Sequence, residues 1–208
     1  MVDNKFTEKD SIDLISQMLQ QTKQNMKFGS GNILLYYGYP AVIIAIVVFI
    51  LCQFSQNGIW SALWFLMFVP SIVIQIKERN NKPKVVTYMD KAINNTWRIV
   101  GSLFGLTVFV ILIIGAVVGK SNFALMLPLC LLYSGIGISI TGIITNVRVL
   151  IYTPLIAFVL AIYMLIALTD GDGATVIWHL YFGVSCLAMM VIPGHVLNKK
   201  SMEICSKN

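Results

Sequence analysis

Residues 98–120 read RIVGSLFGLTVFVILIIGAVVGK, with a cation at each end (Arg98 and Lys120) and an uncharged apolar run, Ile99–Val118, between them. A helix rises ~1.5 Å per residue and the hydrocarbon of a bilayer is ~30 Å thick, so about 20 such residues suffice to cross it. Five more stretches of this kind flank it: Asn32–Cys52, Gly58–Gln75, Asn122–Ile144, Val149–Leu168 and Thr175–Val196. When the six are threaded alternately, every Lys and Arg except Lys120 falls on the side of the N-terminus. Cytoplasmic loops of membrane proteins carry the Lys/Arg excess. The pattern therefore predicts six transmembrane helices with both termini in the cytoplasm.

Composition agrees. The chain has 208 residues, of which 57% are hydrophobic and 12% charged, against about 25% charged in soluble proteins. The spans leave room for one membrane domain, residues 32–197, preceded by a cytoplasmic segment, 1–31, and followed by a short cytoplasmic tail, 198–208. The net charge of +6 does not imply a nucleic-acid partner, because the basic residues flank spans and are interleaved with Glu8, Asp10, Asp13, Glu78 and Asp90. The first thirty residues are polar and charged, so the first span is expected to serve as an uncleaved targeting signal. Cys52, Cys130, Cys186 and Cys205 have no CxxC spacing and imply neither a disulfide framework nor a zinc site.

The segment from Thr7 to Lys27 reads as an amphipathic helix. Thr7 and Asp10 resemble a capping box, and Ile12, Ile15, Leu19 and Met26 share one face. This helix is expected to bury Ile12, Ile15 and Leu19, docking on a cytoplasmic extension of the third span over residues 85–98, whose own stripe is Val86, Met89 and Ile93. The outer connections are short, so the spans are expected to form three antiparallel hairpins.

Two constellations stand out within this frame. The first is a packing seam of small residues. Gly101 and Gly105 form a GxxxG pair in the third span, and Gly135 and Ser139 lie in a Gly/Ser-rich fourth span. Small residues let helix backbones approach where lipid removes the hydrophobic drive to associate. The second is a polar stripe at the cytoplasmic mouth of the third span. Asp90, Asn94 and Arg98, spaced i, i+4, i+8, share a helix face, with Arg148 and His195 expected nearby. Such a stripe suits an anion or lipid headgroup.

No Asp, Glu, Lys or Arg lies within a span, which argues against a proton- or voltage-driven machine. His179, near the outer end of the sixth span, is expected to be a lone interfacial residue. Ser134, between Tyr133 and Gly135, has the look of an intramembrane nucleophile, but no general base is placed with it. HExxH, P-loop and metal-cluster patterns are missing, so no enzyme, cofactor or metal is implied.

The run Val85–Trp97 (VVTYMDKAINNTW), together with Tyr37-Gly38-Tyr39-Pro40 and Leu127–Tyr133 (LPLCLLY), resembles an uncharacterised family of small bacterial inner-membrane proteins. The resemblance covers most of the chain. It implies a bacterial cytoplasmic membrane location and carries no activity or site residues. The resulting expectation is an all-α membrane bundle that senses, scaffolds or regulates through its cytoplasmic face. Its expected partners are the lipid bilayer and either a cytoplasmic protein or a second copy of the chain. A small permease for a neutral or amphipathic solute, lined by the fourth span, is the rival.

Overall fold

The structure, a computed structural model, describes residues 12, 16, 30–55, 57–70, 72, 73, 76, 88–119, 122–170 and 174–205. The described residues form a helical bundle with no strand. Helix α1 spans Ser30–Ser55 and is followed by a 3₁₀ segment, Gly58–Met67. Helix α2 spans Tyr88–Val118 and α3 Met126–Thr145; α4 (Arg148–Tyr152) and α5 (Pro154–Thr169) follow in line. The last helix has three parts: α6 (Trp178–Cys186), a π-helical turn (Leu187–Val191) and α7 (Ile192–Cys205).

Among the described residues, five helices are long and apolar enough to cross a membrane: Gly31–Ser55, Lys91–Val118, Phe123–Thr145, Arg148–Thr169 and Trp178–Lys199. The expected second span, Gly58–Gln75, differs. Its apolar helix is described over Gly58–Pro70 only, and most of it is wound as 3₁₀.

The last helix is the centre of the bundle. Over its most apolar window 56% of residues are buried, against 11% for the span in α2. It lies between α1 on one side and α5 and α3 on the other. A regular helix surrounded on two sides cannot bury four consecutive side chains equally. The π turn widens the local register, and Ala188, Met189, Met190 and Val191 are all buried there. Pro193, which has no N–H to offer the Met189 carbonyl, follows directly.

The first helix meets this centre along a heptad-like seam. Gly31, Leu34, Gly38, Ala41, Ala45, Val48 and Cys52, spaced alternately by three and four, are all buried. A Cβ on Gly38 would lie 2.8 Å from Val191 Cγ2, one on Gly183 would lie 2.8 Å from Ala45 Cβ, and one on Gly31 would collide with the Asn198 side chain. The outward face of α1 carries Tyr36, Tyr39, Ile43 and Ile50, all exposed.

The packing seam expected from the sequence divides. In α3, Gly135 is buried and a Cβ there would meet Phe158 Cε1 at 2.6 Å; Gly142 lies equally close to the backbone of Leu150 and Ile151. Ser139 is half-buried beside the Ile151 carbonyl, at 3.5 Å. Gly101 and Gly105, by contrast, are exposed with nothing within 4 Å. The reason is rotational. Helix α2 meets α3 through Trp97 and Val100, which lie against Gly137, and through Thr107, which bonds Tyr133. At ~100° per residue the GxxxG pair is turned roughly a quarter turn or more away from that contact.

At the end of the bundle where α1 starts, α3 stops at Asn146, which takes the left-handed conformation (φ 55°) that caps a helix and turns the chain into α4. Helix α2 begins at Tyr88, so the expected helical extension of the third span is continuous from there. In the N-terminal segment Ile12 is helical but 63% exposed, which corrects the expectation that it is buried. Ile15, Leu19 and Val86 lie outside the described residues. Among the described residues, none covers the Ile12 side chain.

Candidate functional site: polar junctions at the two ends of the bundle

Apolar runs exclude polar groups from the middle of the bundle, so polar chemistry collects at its ends. The hydroxyls within the helices turn inward to their own backbones. Ser134 Oγ donates to the Cys130 carbonyl at 2.6 Å, Thr141 to Gly137 at 2.8 Å and Ser185 to Tyr181 at 2.8 Å. Such bonds satisfy the hydroxyl locally. Ser134 therefore has its proton committed to its own helix. Among the described residues no three His, Cys, Asp or Glu side chains are placed to hold a metal ion.

At the end marked by the start of α1, two side-chain bonds join the first and last helices. Asn198 Nδ2 donates to Asn32 Oδ1 at 2.8 Å. The Tyr39 hydroxyl meets His195 Nε2 at 2.5 Å, with the two rings edge to face at 5.9 Å. With Nε2 unprotonated, the phenol donates. His195 is thus tied to Tyr39. Among the described residues, no hydrogen bond joins it to the stripe near which it was expected.

The polar stripe lies elsewhere at this end. Asn94 and Arg98 are exposed on α2, and Arg148 is exposed at the start of α4. The side chain of Asp90 lies outside the described residues. No hydrogen bond among the described residues links Asn94, Arg98 and Arg148 to one another. The residues that bind α2 to α3 occupy its other face, so the stripe is open for contact with water, lipid or a partner.

At the opposite end, Trp64 of the 3₁₀ segment donates its Nε1–H to His179 Nδ1 at 3.1 Å. Indole nitrogen only donates, so Nδ1 must carry a lone pair and the ring proton sits on Nε2. The two rings stack at 6.1 Å and 29°, and Phe182 packs edge-on to Trp64 at 4.6 Å. His179 is buried. The expected histidine is therefore not alone: it is buried and paired with Trp64. Its partner is 115 positions away in the chain, and a single sequence holds no signal that pairs them. The seam on α1 did leave a signal: small residues at 31, 38, 45 and 52 recur at intervals of seven.

Two surface depressions are apolar. One, of about 390 Å³, runs along the 3₁₀ segment at Ile59, Leu63 and Leu66. The other, of about 130 Å³, lies between α2 and α3 at Thr96, Val100, Leu103, Tyr133 and Ile136. Compared with known protein families, curated proteins and solved structures, the chain finds no match.

Proposed function

We propose that this is a six-span protein of a bacterial cytoplasmic membrane, with both termini in the cytoplasm, that senses, scaffolds or regulates through its cytoplasmic face without catalysing a reaction. The six-span reading depends on the second crossing. The 3₁₀ segment has 10 residues, and at ~2.0 Å each it covers ~20 Å. Helical residues continue at 68–70, 72, 73 and 76, and at ~1.5 Å per residue they bring the total to about 30 Å, one hydrocarbon thickness.

The observation that carries the functional reading is the filled centre. Val48, Leu131, Ile138, Met164, Trp178 and Met189 are fully buried in the middle of the bundle. The hydroxyls around them bond their own helices. A permease for a neutral or amphipathic solute needs an open path between its helices, and this packing favours the alternative, a rigid body that presents its cytoplasmic surface. On that surface Arg98 and Arg148 are exposed cations. Arg98 can snorkel along its helix and offer a planar fork to a carboxylate or phosphate.

The test compares the intact chain with Arg98→Ala and Arg148→Ala, in cross-linking to cytoplasmic partners and in solute uptake by vesicles containing the purified protein. The reading expects partner cross-links to fall several-fold in Arg98→Ala while insertion and abundance are unchanged, and it expects no uptake above empty vesicles. Uptake by the intact protein, with cross-links indifferent to both substitutions, would favour the permease.

A further inference from the structure

We propose that the Trp64–His179 contact is a proton-sensitive latch that holds the 3₁₀ segment to the last helix and opens when His179 takes up a second proton. This goes beyond the functional reading above; the contact itself does not depend on that reading.

The Trp64 indole can only give a hydrogen, and His179 Nδ1 receives it at 3.1 Å. A protonated imidazole carries N–H on both nitrogens. The two N–H groups would then face each other and the bond would become a repulsion. Proton uptake at His179 and closure of the latch are therefore mutually exclusive, and the open form gains as pH falls. Histidine is the side chain whose ordinary range for this change lies between about pH 5 and pH 8.

The second observation is the state of the element being held. Runs of 3₁₀ longer than about four residues are uncommon because their hydrogen bonds are poorly aligned. This one runs for 10 residues, and none of them is buried. Leu63, Trp64 and Met67 rest against Ile44, Val48 and Cys52 of α1. Among the described residues, the bond from Trp64 to His179 is the segment's one side-chain hydrogen bond to another element. Once released, the segment can relax toward α-helix. At ~2.0 Å against ~1.5 Å per residue, that would shorten it by about 5 Å.

The surroundings bear on how readily the ring is protonated. The elements packed on α6 are α1, α3, α5 and the 3₁₀ segment. Their described titratable groups toward this end are Cys52 on α1, Cys130 and Tyr133 on α3, and Tyr163 on α5. Tyr181 and Cys186 lie on its own helix, and the 3₁₀ segment contributes none. No Lys or Arg is among them. The exposed Asp170, just beyond α5, is the described carboxylate at this end. Protons reach His179 from the turn before α6, where Ala174, Thr175 and Ile177 are exposed.

Amide hydrogen exchange of the full chain in lipid nanodiscs tests the latch, read over residues 58–67 at about pH 8 and about pH 5.5 and corrected for intrinsic rates. The intact protein should lose protection there roughly ten-fold at the lower pH, reversibly. His179→Asn keeps an acceptor oxygen near the Nδ1 position but cannot titrate, so it should stay protected at both pH values. Trp64→Phe keeps the ring but removes the donor, so it should exchange fast at both. Equal protection of the intact protein at the two pH values overturns the latch. So does a full acid step in either variant, and Trp64→Phe alone decides should His179→Asn fail to fold.

Discussion

Gly38→Leu is expected to lower the thermal midpoint of the purified protein by about 5 °C or more, whereas Gly101→Leu should leave it nearly unchanged. Gly38 is buried where α1 crosses the π turn, and a Cβ there would stand 2.8 Å from Val191 Cγ2, 3.0 Å from Met190 Cβ and 3.3 Å from the Val191 backbone nitrogen. One neighbour is backbone and another is the root of a side chain, so no flexible tip can give way. Overpacking costs ~1–3 kcal/mol at ordinary core positions, and a domain of this size loses about 2–4 °C per kcal/mol. Leucine adds three carbons beyond the Cβ that already collides. Gly101 has nothing within 4 Å, so a leucine there meets only the surroundings of the bundle. Thermal unfolding of both variants in one detergent gives the comparison. Equal midpoints would mean that the seam between α1 and the last helix does not hold the bundle together.

The second large effect is expected at Trp178. Its side chain is 2% exposed and sits in the main core cluster with Leu131, Met164 and Phe182. Removing a large buried aromatic costs ~3–5 kcal/mol, from lost packing and the cavity left behind. Trp178→Ala should therefore fall by roughly 10 °C. Trp60, 40% exposed on the 3₁₀ segment, is the control, and Trp60→Ala should change the midpoint by a fraction of that amount. A similar loss in both variants would place the stabilising core nearer the 3₁₀ segment than the last helix.

These residues also mark where the sequence was legible. Run length and charge placement located the helices well. The apolar run Ile99–Val118 and residues 88–98 of its expected extension form one continuous helix, Tyr88–Val118, while 85–87 lie outside the described residues. The turn at Asn146 falls in the connection expected between the fourth and fifth spans. What run length does not reveal is which face of a helix points inward. Gly101 and Gly105 satisfy the GxxxG spacing as well as any pair in the chain, yet they face outward, because Trp97, Val100 and Thr107 make the contact with α3. Spacing defines a stripe, and only the neighbours decide whether it is covered. The buried stripe of α1 was legible in principle, since 31, 38, 45 and 52 recur by sevens. The unusual winding of Gly58–Met67 was not, because an apolar run has the same composition as 3₁₀ or α.

The candidate site was less legible than the fold. Asn94, Arg98 and Arg148 are exposed, in keeping with a stripe at the mouth of the bundle, but the three lie on two helices and nothing among the described residues gathers them. Two of the polar pairs that do form, Tyr39 with His195 and Trp64 with His179, join residues 156 and 115 positions apart. Each was visible beforehand only as two separate amphipathic side chains near span ends. Contacts of that range depend on how helices are arranged in the bundle, which local spacing does not encode.

The central claim is that the chain crosses a membrane six times with its cations inside, and the second crossing is the step on which it turns. Paired reporter fusions, active on opposite sides of the membrane and placed after Asn57 and after Lys82, test it most directly. Fusions after Lys120, Arg148 and Asp172 and at the C-terminus complete the series. External signals are expected at Asn57, Lys120 and Asp172 and internal signals at Lys82, Arg148 and the C-terminus. An external signal at Lys82, or a C-terminus outside, would mean that the Gly58–Pro70 helix does not cross, and would contradict the six-span account.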